Sequence, residues 1–243
     1  MALVQSGIKV GEEIQHFSHP QHALNLIYLP YLYTCSGCKE YGAGRRYMCN
    51  QCDFDIHEFC AKAPAAVSHP YHTQHQLIFH KQPGGLKKSK CDVCGKTTNG
   101  FAFRCPTCNF CLHPCCSQLP NSLSFKGHPE HSLKLLSGSP DGSPYTCNFC
   151  NKKGTTWVYH CAPCDYYLHA LCAKPVINGL EEEGIVNVPP KKSKIGRAAR
   201  YASQVVQLFV DGLVEGLGEG VGDALLNNVT REIPINDNDD KHG

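Results

Sequence analysis

The chain has 243 residues, among them 17 cysteines and 14 histidines whose spacing points to one kind of chemistry. Cys35, Cys38, Cys49, Cys52, His57 and Cys60 return 56 residues later as Cys91, Cys94, Cys105, Cys108, His113 and Cys116. After a second step of 56 they return as Cys147, Cys150, Cys161, Cys164, His169 and Cys172. Each copy reads C-x2-C-x10-C-x2-C-x4-H-x2-C, and each is preceded by a histidine pair: His19 and His22, His72 and His75, His128 and His131. Thiolate sulfur and imidazole nitrogen are the ligands of tetrahedral zinc, and C-x2-C sets two thiolates on one tight turn. His57 and Cys60, three apart, share a face of a helical turn. Eight such residues per repeat make two four-ligand sites, so three repeats are expected to hold six Zn(2+) ions. Fifteen thiolates with six dications move the formal charge from +2 to −1; bare thiolates would leave −13, too much for a compact chain of this size.

Composition supports an intracellular metalloprotein. The first ten residues carry neither a charged leader nor an apolar run, no stretch reaches about 18 apolar residues, and 17 is an odd number for a disulfide framework. The expected location is cytoplasmic, nuclear or both. A net charge of +2 excludes a bulk polyelectrolyte. Apolar residues are too sparse for one large core, so three small zinc-stabilised α+β modules in tandem are expected, weakly coupled to one another. Cys49→Ser would then disable the first alone.

The ligands must be positioned by short elements. Leu24 and Leu26, Leu77 and Phe79, and Leu133 and Leu135 alternate after the histidine pairs as in a half-buried strand. Tyr47, Phe103 and Tyr159 recur two positions before the third cysteine, and Gly44, Gly100 and Gly154 precede them in a turn where a positive φ is cheap. Pro64, Pro120 and Pro175 would each stop a short helix. The modules are bounded as 16–64, 69–120 and 125–176, with an extension at 1–15 and a Gly-rich C-terminal tail at 177–243, expected to be partly helical, with a flexible tail as the alternative. Two pairings satisfy the ligands. A sequential one puts both C-x2-C pairs on one ion; a cross-braced one joins the first pair to H-x2-C and the second pair to the histidine pair, closing more chain per ion.

The run His22-x12-Cys35 with C-x2-C and C-x2-C-x4-H-x2-C resembles the diacylglycerol/phorbol-ester type zinc domain called C1. The H-P-x-H-x-L opening (His19 to Leu24, His128 to Leu133) and the L-H-x-x-C-A ending (Leu168 to Ala173) are similar to the plant divergent C1, or cysteine/histidine-rich, family, over residues 16–176. The resemblance implies cross-bracing: Cys35, Cys38, His57 and Cys60 with His19, His22, Cys49 and Cys52 in the first module. It implies Cys91, Cys94, His113 and Cys116 with His72, His75, Cys105 and Cys108 in the second. In the third it implies Cys147, Cys150, His169 and Cys172 with His128, His131, Cys161 and Cys164. Two departures stand out. The final cysteine of an ordinary C1 domain is replaced by Ser68, Ser124 and Gly179, its place as ligand falling to the extra upstream histidine, and the x10 spacer is shorter than the family's lipid-binding loop. A PHD-finger or RING reading borrows the next repeat's C-x2-C and fails after Cys172, where no further pair exists.

Closed four-ligand sites leave no place for substrate, so the chain reads as a non-catalytic interaction protein; the resemblance implies a plant signalling or stress-response adaptor. A thioredoxin-like reading of C-x2-C lacks the W-C-x-x-C context, the single Trp157 lying between two pairs. Cys111 and Cys115 are left over as free thiols or small core residues, and His16, His69, His80 and His160 read as surface or packing residues. A protein partner is expected. The alternatives are nucleic acid or anionic lipid at Lys87-Lys88-Ser89-Lys90, Lys152-Lys153 and Lys191-Lys192-Ser193-Lys194, or a diacylglycerol-like lipid at the apolar loop 27–33, which the polar third-repeat loop 137–144 does not match. In the tail, Gly212, Gly216 and Gly220 form a small-residue stripe beside an acidic one (Asp211, Glu215, Glu219, Asp223) and an apolar one (Leu213, Leu217, Val221, Leu225), a face suited to weak self-association or a partner helix.

Overall fold

The structure, a computed structural model, describes residues 8–81, 89–185 and 188. The tail stripes, Lys87, Lys88 and the 191–194 cluster lie outside them. Strands dominate. The first module contains β1 (Ile8–His16), β2 (His19–Thr34), β3 (Tyr41–Met48) and β4 (Asp55–His57), followed by the single-turn helix α1 (Glu58–Ala61). The second contains β5 (Ala66–His69), β6 (His72–His80), β7 (Ala102–Arg104) and β8 (Cys111–Leu112), then a 3-10 turn, Cys116–Gln118. The third contains β9 (Ser122–Phe125), β10 (His128–Leu136), the small pair β11 (Tyr145–Thr146) and β12 (Lys153–Gly154), β13 (Val158–Cys161) and β14 (Tyr166–His169), then α2 (Ala170–Ile177).

Each module is a four-stranded antiparallel meander, ordered β1-β2-β3-β4, β5-β6-β7-β8 and β9-β10-β13-β14. The first strand of each lies before the histidine pair, so the first sheet reaches back to Ile8, into the stretch set apart as an extension. The register repeats. Leu26 faces Tyr47, Phe79 faces Phe103, and Leu135 faces Tyr159 across one strand pair. Those aromatics then face Ile56, Leu112 and Leu168 across the next. Tyr47, Phe103 and Tyr159 are all buried. Among the described residues, α-helix is confined to the stretch after the H-x2-C histidine, a single turn in α1 and about two in α2. Pro175 does not end the third helix but lies inside it; lacking an N–H, it leaves the Leu171 carbonyl without its helical partner.

The glycine expectation holds only in part. Gly44 takes a positive φ of 73°. Gly100 instead sits where a Cβ would approach the Gly37 carbonyl oxygen at 2.0 Å, a contact between the first and second modules. Residues 27–33 are not an open apolar loop either: they belong to β2, with Ile27, Leu29, Leu32 and Tyr33 buried. Here the first repeat is three residues shorter between its histidine pair and Cys35 than the second between its pair and Cys91, and the strand shifts register between Leu29 and Tyr33. The fully buried Arg46 closes the irregularity, donating to the carbonyls of Leu29, Tyr31 and Gly44 with its guanidinium over the Tyr33 ring. Ala102 and Val158 occupy its place elsewhere, on strand pairs whose register runs without a shift.

Weakly coupled modules with three small cores are not what the structure contains. One buried cluster joins the second and third modules, from Leu77, Phe103 and Leu112 to Tyr159 and Leu168, with Phe59 of the first packed against it. Phe101 of the second enters the first module's core, its amide bonded to the Gly37 carbonyl at 3.0 Å. Tyr71 and Trp157 are ring neighbours at 3.9 Å, and Tyr159 donates to the Pro120 carbonyl at 2.7 Å. Leu32 and Ala43 pack against Leu180, which follows the third module, and Ala43 bonds to the Asn178 carbonyl at 2.9 Å. Small apolar sets suffice because they are pooled.

A shared core should melt as one. Urea unfolding of the metal-loaded chain, followed at Trp157 and by far-ultraviolet ellipticity, should give a single coincident transition. Gly100→Ala, at the contact between the first two modules, should destabilise that transition by about 1–3 kcal/mol through overpacking. Separate transitions, or a Trp157 signal that the substitution leaves in place, would mean independent modules.

Candidate metal centres

Two kinds of tight turn carry the cysteines. In the first, the amide of Cys35 bonds to the Glu40 carbonyl, that of Cys91 to Lys96 and that of Cys147 to Lys152, at 2.8–3.0 Å. The residue after the second cysteine has a positive φ in every copy: Lys39, Gly95 and Asn151. Only Gly95 does so without steric cost, and Asn tolerates it better than Lys. In the second turn, the Cys49 amide bonds to Phe54 and the Cys105 amide to Phe110. The first turn is also tied to the strand that ends in the later histidine, through Ser36 to Asp55, Asp92 to Cys111 and Asn148 to Tyr167. These amides bring Cys35 and Cys38 beside His57 and Cys60, and so on through the repeats.

The ligand-type residues converge in cross-braced sets. His19, His22, Cys49 and Cys52 form one; Cys35, Cys38, His57 and Cys60 a second; His72, His75, Cys105 and Cys108 a third. Cys91, Cys94, His113 and Cys116 form a fourth, and His128, His131, Cys161 and Cys164 a fifth. Within each set the donor atoms lie within 4.8 Å of one another. In the third module Cys150 lies 3.3 Å and Cys172 3.7 Å from His169 Nδ1, with 4.0 Å between the sulfurs of Cys147 and Cys172. The sequential pairing is not the one the backbone builds.

The donors fit a small dication. Zn–S bonds of about 2.3 Å and Zn–N bonds of about 2.0 Å give a tetrahedral S···N edge of roughly 3.5 Å. The Sγ···Nδ1 separations are 3.3 Å for Cys52–His22, 3.4 Å for Cys38–His57, 3.3 Å for Cys108–His75, 3.4 Å for Cys94–His113 and 3.2 Å for Cys164–His131. Nε2 of His19, His72 and His128 is buried without a hydrogen-bond partner and so is open to a ligand bond, a feature shared by the packing residues His16 and His160. Electrostatics agree. Burial works to depress the His113 imidazole, but the Cys91 and Cys94 sulfurs outweigh it and hold it at about 10. The Cys116 and Cys91 sulfurs pull the Cys94 thiol far down, while Cys115, Cys91 and Cys94 push Cys116 far up. Three crowded sulfurs thus compete for protons, a charge that a bound cation would neutralise.

Several supporting residues were missed in the sequence. An aromatic ring stacks on the first histidine of each pair: Phe54 on His19 at 4.5 Å, Phe110 on His72 at 4.7 Å, Tyr166 on His128 at 4.5 Å. These three recur at the 56-residue step, two places after the second C-x2-C, so the signal was present. Gly42, and Gly154 in place of the positive-φ turn expected of it, are a second case. A Cβ there would meet Nε2 of His57 or His169 at 2.3 and 2.5 Å, so glycine makes room for the imidazole. His16, His69 and His160 are buried packing residues, and Cys111 and Cys115 are buried outside the sets.

Comparison with known proteins agrees with this geometry. The C1 domain family matches residues 17–61, 70–117 and 126–173, more than half of the chain. Among curated plant proteins, probable nucleoredoxin 1 of Arabidopsis thaliana is 43% identical over 54 residues, 22% of this chain and 9% of that protein. Probable nucleoredoxin 2 of Oryza sativa subsp. japonica is 38% identical over 55 residues, 23% of this chain and 14% of that protein. Probable nucleoredoxin 3 of Arabidopsis thaliana is 36% identical over 76 residues, 31% of this chain and 17% of that protein. The chain therefore spans less than a fifth of the length of these relatives. Three family matches in tandem fall on the three sheets that carry the cysteine and histidine sets, and the chain belongs to the C1 domain family.

Proposed function

We propose that the chain is a non-catalytic zinc-binding interaction protein, in which six ions, two within each module, staple three modules that pack into one block and dock a protein partner. The observation that carries the reading is the closed character of the sets: two thiolates or more and one or two imidazoles converge, four donors to a set. His19, His22, Cys49 and Cys52 would hold one ion and Cys35, Cys38, His57 and Cys60 the other in the first module. The corresponding eight residues would serve in each later module. Zinc bound there supplies cross-linking, with no position left for substrate. Cys111 and Cys115 are 4% and 0% exposed, which weighs against thiol–disulfide chemistry at the spare thiols. The relatives named above are plant proteins; an adaptor role in the cytoplasm or nucleus, serving signalling or stress responses, is part of the proposal. No helix among the described residues is long and apolar enough to cross a membrane.

A second reading rests on one surface feature. The exposed Lys96, Lys152 and Lys153 rim a cleft of about 450 Å³ between the second and third modules, with Thr155, Thr156 and Trp157 in its wall. Nucleic acid or an anionic headgroup suits such a rim. The burial of 27–33 in β2 weighs against the first module as a diacylglycerol-like site.

Elemental analysis of the purified chain should give close to six zinc ions, and chelation should abolish its secondary structure, because small metallo-domains depend on metal to fold. Three ions or fewer would exclude two centres per module. His19→Ala should lower the count by one; an unchanged count would remove the upstream histidine from the ligand set. Binding to a protein partner from plant extract should survive a rise in salt and nuclease treatment. Affinity that falls steeply with salt, and falls further in a Lys96→Glu/Lys152→Glu/Lys153→Glu variant, would favour the anionic ligand instead.

A further inference from the structure

One ion-paired cluster lies at the meeting point of all three modules. Glu40 follows the first cysteine pair of the first module, His113 belongs to the H-x2-C of the second, and Lys174 lies in α2 of the third. Glu40 is 6% exposed, His113 0% and Lys174 5%. The carboxylate spans the other two: Oε2 lies 2.9 Å from Lys174 Nζ, and Oε1 lies 3.4 Å from His113 Nε2. The same Nε2 faces the Thr97 carbonyl at 3.2 Å. On its other side the ring turns Nδ1 to Cys94 and Cys116, at 3.4 and 3.9 Å.

The three H-x2-C histidines are not alike in this respect. His57 and His169 face the backbone of Tyr41 and Lys153, the positions that correspond to Thr97. Among the described residues, the second module's histidine has a carboxylate beside it as well, and the carboxylate comes from another module. At the position of Glu40 the second and third repeats carry Lys96 and Lys152, so the acid is particular to the first. A histidine that binds metal through one nitrogen donates the other N–H to an acceptor, which fixes its tautomer and raises its basicity. A carboxylate buried beside three thiolates would be unfavourable alone, and the Lys174 ammonium, itself close to the Cys115, Cys116 and Cys94 sulfurs, offsets that charge.

We propose that Glu40 is a positioning residue for the second module's Cys91–Cys94–His113–Cys116 metal centre, and that Lys174 makes its burial tolerable. Metal retention in the second module then depends on the docking of the first and third. The block loads and loses metal at this centre according to whether all three modules are assembled. The inference rests on the zinc reading above and adds to it a link between centres in different modules.

The test uses the full-length, zinc-loaded chain and a chromophoric zinc chelator in excess. Wild type is read first, for zinc content and for release kinetics. Glu40→Gln, which keeps the shape of the side chain, should make one zinc equivalent leave about 10- to 100-fold faster, the usual consequence of losing such a partner. The double variant Glu40→Gln/Lys174→Met removes both charges and leaves neither unpaired. It should regain the wild-type unfolding midpoint, yet keep the fast equivalent. In cadmium-113 spectra of the substituted protein, Glu40→Gln should move one three-thiolate resonance and leave the other two in place. Release in Glu40→Gln that matches wild type overturns the proposal. So does a double variant whose release returns to the wild-type rate, since Glu40 would then serve only as a partner for Lys174. A wild-type chain without zinc would overturn the metal reading itself, and is recognised before any variant is compared.

Discussion

A buried thiolate is unfavourable, and four ligands gathered around one point are far more so without a cation between them. That constraint organises this protein. Each set must be assembled from segments distant in sequence, and each can be assembled only if the backbone delivers two turns, a histidine pair and a single helical turn to the right places. The meander does so with little material. The amide links Ser36 to Asp55, Asp92 to Cys111 and Asn148 to Tyr167 pull the first cysteine turn against the strand that leads to the later histidine. The second turn is left to meet the histidine pair at the other end of the sheet. Cross-bracing is thus a consequence of strand order and of where the turns fall.

The same constraint explains what surrounds the sets. A ring stacked on the first histidine of each pair covers one face and holds the imidazole at its angle, as Phe54, Phe110 and Tyr166 do. Glycine at 42 and 154 yields space where a side chain would displace the later histidine. In the second module Thr98 stands at that position, buried, and the His113 ring is framed instead by the Thr97 carbonyl and Glu40.

Modules of about fifty residues have little apolar material of their own, and here they are not left to rely on it. The second and third share a single core, Phe101 completes that of the first, and Leu180 caps Leu32 and Ala43. The apolar character of 27–33, which suggests an open surface when read along the chain, is used in this packing. The longer β2 that contains it depends on Arg46, whose guanidinium satisfies carbonyls released by the register shift.

Much was legible in the residues themselves. A gapless 56-residue repeat of six ligand-type residues identifies the modules, and the histidine pairs identify the rest of each set, because zinc chemistry admits few residue types and few spacings. The alternation after each histidine pair places β2, β6 and β10, since burying one face of a sheet demands a period of two. Which cysteines join which histidines was open between two pairings until the tertiary structure separated the two turns, because spacing records only distance along the chain. The contacts among modules were not legible at all. Glu40, His113 and Lys174 are ordinary residues far apart in sequence, with nothing periodic to link them. Their meeting depends on how three sheets pack, and packing is settled by side-chain shape and by the cost of burying charge, which only the folded chain brings together.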